Sequence, residues 1–552
     1  MVNTSFLAAN QSVLFIAGWR LAAADSFDNA PRVQHFVLNE LTGFQPPGAS
    51  GERHLFEHSE TTLSFPALLA VLVGGGLFSG WIVYTYAPEA EGHGTDGAID
   101  AFHRKRGNIS FKVAIVKTLA SAVTLGTAGS GGREGPIAQI GAALGSFLGR
   151  YLNLSARDRR ILMAAGMGAG VGAIFRAPLA GAIFAGEILY RDADLESDVI
   201  VPSAISSIVA FSVFGMFLPT SQTFGHVFGK LPAYHMHSLS ELLPYGVMSL
   251  LLALVGYVYI YFFYAVHNLF KKMPGPRHIR PAIGALAAGL VAIGLYYVCG
   301  QKAQLLAVLA TGYGVLQTGL ESTAGKSPED VTISVLLLVG LMKIVTTSLT
   351  ISSGGSGGVF GPSMVIGGCI GVATGKAVQL TGWWPEVSPG AFGIVGMAGF
   401  FAGIARAPIS TIIMVSEMTG SYQLLLPTMW VSTLCFLLGS RSTLYRSQVP
   451  TRLESPAHRG DFLIDVLEGI TVNDVYRKDR RIESVPEAMS LAEIVKLLSR
   501  NTSALFSRRG RCRAGHLFVR RRAVIHLRRD HLESGGRFRC HEGAVSECCT
   551  GR

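Results

Sequence analysis

The octet Gly129-Ser-Gly-Gly-Arg-Glu-Gly-Pro136 returns far downstream as Gly355-Ser-Gly-Gly-Val-Phe-Gly-Pro362, with six of eight letters unchanged. Runs of Gly and Ser weaken a helix, and Gly-Pro ends one segment and opens another, because proline suits the first helical turn. Each octet therefore reads as a loop running into a helix N-terminus. There, free backbone N–H groups and the positive end of the helix dipole point into the loop, an arrangement that binds anions. No Gly-Lys-Ser/Thr follows either copy, which argues against a nucleotide-phosphate loop.

A second element recurs in step. Arg176-Ala-Pro178 is followed nine residues after its proline by Glu187, and Arg406-Ala-Pro408 by Glu417 at the same interval. The octets are offset by 226 residues and the Arg-Ala-Pro elements by 230. Two halves of one design are thereby expected, meeting around a site near the middle of a membrane.

The composition supports a membrane setting. The chain of 552 residues is 49% hydrophobic and 15% charged, with 66 glycines, and its mean hydropathy is +0.39. Apolar stretches near 65–85, 199–218, 246–266, 282–298, 331–351 and 424–439 are long enough to span a bilayer. Others near 112–128, 160–175, 362–380 and 390–404 are shorter or glycine-rich. The net charge of +11 is uneven: residues 503–552 hold twelve Arg against four acids, so +8 of it sits in the last fifty residues. The charge therefore does not describe a nucleic-acid-binding protein, and no nucleic-acid partner is expected. There is no CxxC pair; Cys299, Cys369 and Cys435 sit in apolar segments and read as core residues, while Cys512, Cys540, Cys548 and Cys549 crowd the tail. No metal cluster, nucleophile–base pair or phosphate loop points to an enzyme, a metal or a cofactor. Residues 5–24 do not read as a secretory signal.

Taken in order, these motifs resemble the CLC chloride channels and chloride/proton antiporters. Gly132-Arg-Glu-Gly-Pro136 is similar to the family's GREGP signature and Gly358-Val-Phe-Gly-Pro362 to its GxFxP signature. Tyr86-Ala-Pro-Glu-Ala-Glu-Gly-His-Gly94 resembles the approach to the family's first anion loop. Arg406-Ala-Pro408, Glu417-Met-Thr and Tyr422-Gln-Leu-Leu-Leu-Pro427 also match, and Tyr445 falls where the family has its pore tyrosine. The resemblance covers about residues 60–500. It implies an all-α polytopic membrane protein, a CLC-type inverted repeat of tilted and broken helices with a partial cytoplasmic CBS-like α/β segment. It also implies a homodimer that moves chloride or a similar anion across the lipid bilayer. By resemblance Glu134 is the gate, a carboxylate that competes with the anion. Arg133, Gly135, Val359, Phe360, Gly361, His93, Gly94 and Tyr445 would form the anion path. For Tyr445 the plain alternative is an interfacial anchor.

Three departures qualify that picture. The family's inner loop usually reads Gly-Ser-Gly-Ile-Pro, whereas here Gly92-His93-Gly94-Thr95-Asp96 stands in its place. Two readings of His93 stand: a ring N–H donor to the ion, or a side chain in the vestibule. Next, Ile188 follows Glu187 where many antiporters of the family carry the inner proton glutamate. Ile188 favours passive, channel-like conduction, with a chloride/proton antiporter as the alternative and a non-conducting homologue as a second one. Glu187 and Glu417, paired by the repeat, read as structural.

The ends are the third departure. Residues 1–60 match the family poorly. The first membrane half is assigned to 61–235 and the second to 236–446. Residues 447–506 are read as a linker and partial CBS domain, in which Ser490 with Glu493 forms a capping box and Leu491, Ile494, Leu497 and Leu498 line one helix face. Residues 507–552 are an atypical Arg/Cys-rich tail, read as the product of a frameshift or as a basic tail against anionic lipid. Adenine-nucleotide binding at half a CBS domain is doubtful. The CBS-like region places the C-terminal part in the cytoplasm; Arg157, Arg159, Arg160 and Lys271-Lys272 do not assign sides by themselves.

Overall fold

The computed structural model describes residues 64–217, 225–323, 331–439 and 442–458, together with three strands further on. The N-terminal segment 1–60, most of the CBS-like helix around Ser490–Leu498 and the tail cysteines lie outside the described residues.

Seven helices of the first half are α1 (Phe65–Tyr86), α2 (Thr95–Arg104), α3 (Phe111–Gly126), α4 (Glu134–Tyr151), α5 (Ala156–Ile174), α6 (Pro178–Glu187) and α7 (Ser197–Met216). After α8 (Leu242–Lys272) the second half runs α9 (Arg280–Val298), α10 (Tyr313–Leu320), α11 (Ile333–Ser352), α12 (Phe360–Leu380), α13 (Pro389–Ala405), α14 (Pro408–Thr419) and α15 (Leu425–Leu438). The order long, short, long, long, long, short, long-or-medium repeats from α1–α7 to α9–α15, with α8 between them. Packing repeats too. α4 lies on α5 as α12 lies on α13, and α5 on α7 as α13 on α15; α1 meets its counterpart α9, and α6 meets α14.

The glycines explain how closely these helices cross. A Cβ on Gly141 of α4 would stand 2.1 Å from the Gly166 carbonyl of α5, and one on Gly367 of α12 2.4 Å from the Gly396 carbonyl of α13. These crossings are themselves repeat partners, and only glycine allows backbones this near.

The helices Phe65–Tyr86, Ser197–Met216, Arg277–Val298, Ile333–Ser352 and Phe360–Leu380, and the segment Leu239–Lys272, are long and apolar enough to cross a membrane. The stretch near 424–439, expected to span, forms the 14-residue α15. The stretch near 362–380, set aside as glycine-rich, belongs to the 21-residue α12. The outer surface is apolar: α8 leaves Leu243, Val247, Leu250 and Leu254 exposed. The interior is partly polar, with Ser130, Thr346 and Thr347 fully buried and hydrogen-bonded to one another across the two halves. That distribution suits hydrocarbon outside and a polar path inside.

Residues 463–552 form a separate unit. Its described part is a sheet of β1 (Glu483–Pro486), β2 (Leu505–Arg509) and β3 (His516–Phe518), with β1 parallel to β2 and β2 antiparallel to β3. β2 crosses the 506/507 boundary drawn from composition and β3 lies beyond it. Both contain Leu-Phe, a strand-favouring pair that the surrounding arginines obscure in a compositional reading.

Candidate functional site

The two octets meet. Gly132 and Gly358 pair as an isolated antiparallel bridge, Gly132 N–H donating to Gly358 O at 2.7 Å and Gly358 N–H to Gly132 O at 2.5 Å. A Cβ on Gly358 would lie 2.7 Å from Gly135 N, and one on Gly135 2.4 Å from His93 O. Three loops, 92–94, 129–133 and 355–359, thus converge at backbone contact distance. The helices begin at Glu134 and Phe360 themselves, so each Gly-Pro sits inside the first turn, with Arg133 and Val359 at the N-cap positions. Gly94, at φ +85°, holds the N-cap position of α2. The N-termini of α2, α4 and α12 therefore open towards one region, and their first-turn N–H groups lack intrahelical acceptors.

Glu134 is the first residue of α4 and 2% exposed. Its Oε1 accepts from Tyr313 Oη at 2.7 Å, and its Oε2 from the Gly361 backbone N–H, in the first turn of α12, at 3.3 Å. The carboxylate of one half is thus seated at the helix N-terminus of the other. Phe360, its counterpart, turns into an aromatic cluster, with ring centroids 3.7 Å from Phe401, 4.6 Å from Phe175 and 6.0 Å from Phe184.

On the other side of the octets, His93 lies 5.4 Å from Tyr445, ring centroid to ring centroid. Tyr445 is completely buried, and its hydroxyl, beside Thr95, has no partner of standard hydrogen-bond geometry. His93 Nδ1 is buried and equally unpartnered. Buried polar atoms are almost always satisfied, so two left open side by side are suited to an anion. Asp96, the other departure in this loop, has a positioning role: its carboxylate accepts from Ser447 N–H and Oγ, both at 2.8 Å, and ties the Tyr445 segment to α2.

Glu187 and Glu417 stand apart from this region and cap one another's helices. Glu187 accepts from Ile409 N at 2.9 Å, Ser410 N at 2.7 Å and Ser410 Oγ at 2.6 Å, at the start of α14. Glu417 accepts from Leu179 N at 3.4 Å and Ala180 N at 2.9 Å, at the start of α6. Carboxylates here satisfy orphan donors and oppose the helix dipole. Ile188 is fully buried and offers only its carbonyl, to Gln448 Nε2 at 3.0 Å.

Sequence reasoning missed Tyr313 and two lysines. Lys117 Nζ donates to Ala90 O at 3.0 Å and Gly92 O at 2.5 Å, and Lys343 Nζ to the carbonyls of Ala307, Val308, Leu309 and Ala310 at 2.7–3.3 Å. Both are completely buried. They are separated by the octet offset of 226 residues, so the repeat and the rarity of Lys inside apolar segments could have revealed them. Tyr313 carries no such signal. Among the described residues, no group of three or more His, Cys, Asp or Glu side chains is placed to hold a metal ion.

The family model described as voltage gated chloride channel matches residues 75–440. The chain belongs to this family, the CLC proteins. A relative from Vibrio cholerae, named H(+)/Cl(-) exchange transporter ClcA, is 31% identical over 376 residues, covering 65% of this chain and 74% of its own. One from Ralstonia nicotianae, a putative chloride channel protein ClcB-like, is 28% identical, covering 66% of this chain and 80% of its own. Among solved structures, a slow cyanobacterial Cl-/H+ antiporter aligns with a TM-score of 0.61 at 20% identity, over 85% of this chain and 99% of that one. A CLC-type fluoride/proton antiporter aligns with a TM-score of 0.62 at 20% identity, over 81% and 98%. The CLC fold and an integral, multi-pass membrane protein follow from the family and from the apolar helices.

Proposed function

We propose that this CLC protein carries chloride through a path between its two halves, gated by Glu134. The observation that carries the reading is the buried Glu134 carboxylate at the first turn of α12, a position suited equally to a small anion. The backbone N–H groups of Val359 and Phe360 would hold the next ion inward, while Gly361 N–H serves the gate position. Gly94 and Gly135 allow the loops to close around it, Arg133 adds charge beside the gate, and His93 and Tyr445 supply donors from the inner side. Departure of the carboxylate, on protonation or by rotation, clears the path. A homodimer with its C-terminal region in the cytoplasm completes the reading. Support for a partner surface comes from Leu179 and Ile409, exposed on α6 and α14 beside the reciprocal caps.

Ile188 favours passive conduction, because it cannot carry a proton. Proton-coupled exchange is the second reading, favoured by the similarity to relatives named as exchange transporters. Liposomes loaded with chloride, with efflux and external pH recorded together, separate the two. Efflux without proton movement supports the channel; proton uptake against its gradient in fixed ratio supports the exchanger; absence of anion flux from folded protein overturns both.

A further inference from the structure

We propose that Tyr313 is the latch of the gate, a hydroxyl donor that holds the Glu134 carboxylate in the anion path. This rests on the gate reading of Glu134 and adds a positioning residue to it. Tyr313 is 2% exposed, and its hydroxyl meets Glu134 Oε1 at 2.7 Å, while the other carboxylate oxygen takes the longer contact with Gly361 N–H. A phenol donating to a charged carboxylate makes a hydrogen bond about twice as strong as a neutral pair. Both contacts go to the same carboxylate, and the hydroxyl, at 2.7 Å against 3.3 Å, is the closer and the principal restraint on it.

The fold aims this hydroxyl with care. Tyr313 is the first residue of α10, following Gly312 at φ +82°, as Thr95 follows Gly94 at φ +85° in the other half. The two halves thus bring equivalent helix starts to the octets, one offering Thr95 beside Tyr445 and the other Tyr313 against Glu134. The loop before α10 is fixed at both ends. Lys343 gathers its four carbonyls, Ala310 N–H donates to Ala128 O at 3.1 Å, and Gly131 N–H of the first octet donates to Ala310 O at 3.3 Å. Phe228 packs edge-on against the Tyr313 ring at 5.7 Å. A buried ring on a helix start anchored in this way does not follow the carboxylate outward, so the hydrogen bond breaks whenever the gate opens.

The test is chloride efflux from liposomes, normalised to folded protein. Tyr313→Phe removes one oxygen and keeps the ring. Its flux should rise by about tenfold, the factor that corresponds to a hydrogen bond to a charged group. 3-Fluorotyrosine at 313, a more acidic and stronger donor, should lower flux below that of the natural protein; a merely structural role gives no such opposite pair. Glu134→Gln alone should raise flux, and adding Tyr313→Phe to it should change flux by less than about twofold, because the charged partner is already gone. If Glu134→Gln leaves flux unchanged, the gate reading itself falls. If it raises flux but Tyr313→Phe does not, or if Tyr313→Phe acts equally in both backgrounds, the latch is overturned and the gate stands.

Discussion

The octets at 129–136 and 355–362 share their backbone task and divide at one side chain. Both open a helix, and they pair with each other through Gly132 and Gly358. Glu134 turns towards the other half's helix N-terminus, whereas Phe360 turns into Phe175, Phe184 and Phe401. In the reading proposed above, the symmetric part is the anion-binding backbone, and the asymmetric residue is what makes one end of it closable while Phe360 stays packed at the other. A second pair repeats the lesson: Glu187 and Glu417 remain glutamates in both halves because each does the same work, capping the other's helix.

The comparison can be broken at its shared part first. Gly358→Ala places a Cβ 2.7 Å from Gly135 N and forces the octets apart. Anion flux should fall at least about a hundredfold, as expected when binding groups move by an ångström. Gly74→Ala, where a Cβ meets nothing within 4 Å, should leave flux unchanged. Flux measured side by side for the two variants checks this.

The asymmetric residues should separate stability from transport. Phe360→Ala empties the centre of an aromatic cluster and should destabilise by ~3–5 kcal/mol, read as thermal unfolding in detergent. Glu134→Gln should alter flux while leaving that unfolding nearly in place.

The reciprocal caps should be unequal. Glu187 has three donors and Glu417 two. Glu187→Gln should cost ~2 kcal/mol and Glu417→Gln ~1 kcal/mol, since each lost charge-assisted bond counts separately. Equal losses would show that the extra Ser410 hydroxyl contributes nothing.

The smallest effect lies at Glu196, just before α7. Burial pushes its carboxyl up, but hydrogen bonds from His458 and Tyr190 and the nearby Arg452 outweigh burial and hold it below the ordinary value of 4.5. A lowered carboxyl stabilises the fold above that ordinary value, and the contribution is lost as pH falls below it. Glu196→Gln should therefore lower the unfolding temperature at pH 7 and match the natural protein in strong acid.

Much of this was legible in the sequence because the repeat is written in glycine, proline and charge. The octets and the Arg-Ala-Pro helices with their terminal glutamates came from residues whose backbone or charge demands are local, whereas His93 and Tyr445 were reached only through the resemblance to the CLC family. Lys117 and Lys343 were missed although they obey the same offset, because a single lysine in an apolar segment shows no local pattern. Tyr313 was invisible for a different reason. Its partner lies 179 residues away, and nothing in Thr-Gly-Tyr signals that contact. The lengths of α12 and α15 were misjudged because glycine-rich helices look weak by hydropathy and apolar stretches look long whatever their breaks.

The central claim is that Glu134 and an anion compete for one position between the halves. Anomalous diffraction from bromide-soaked crystals of the Glu134→Gln variant tests it most directly. The account predicts a bromide peak within hydrogen-bond distance of Gly361 N, where the carboxylate stands in the natural protein. A path that binds bromide elsewhere, with that position empty in Glu134→Gln, would contradict it.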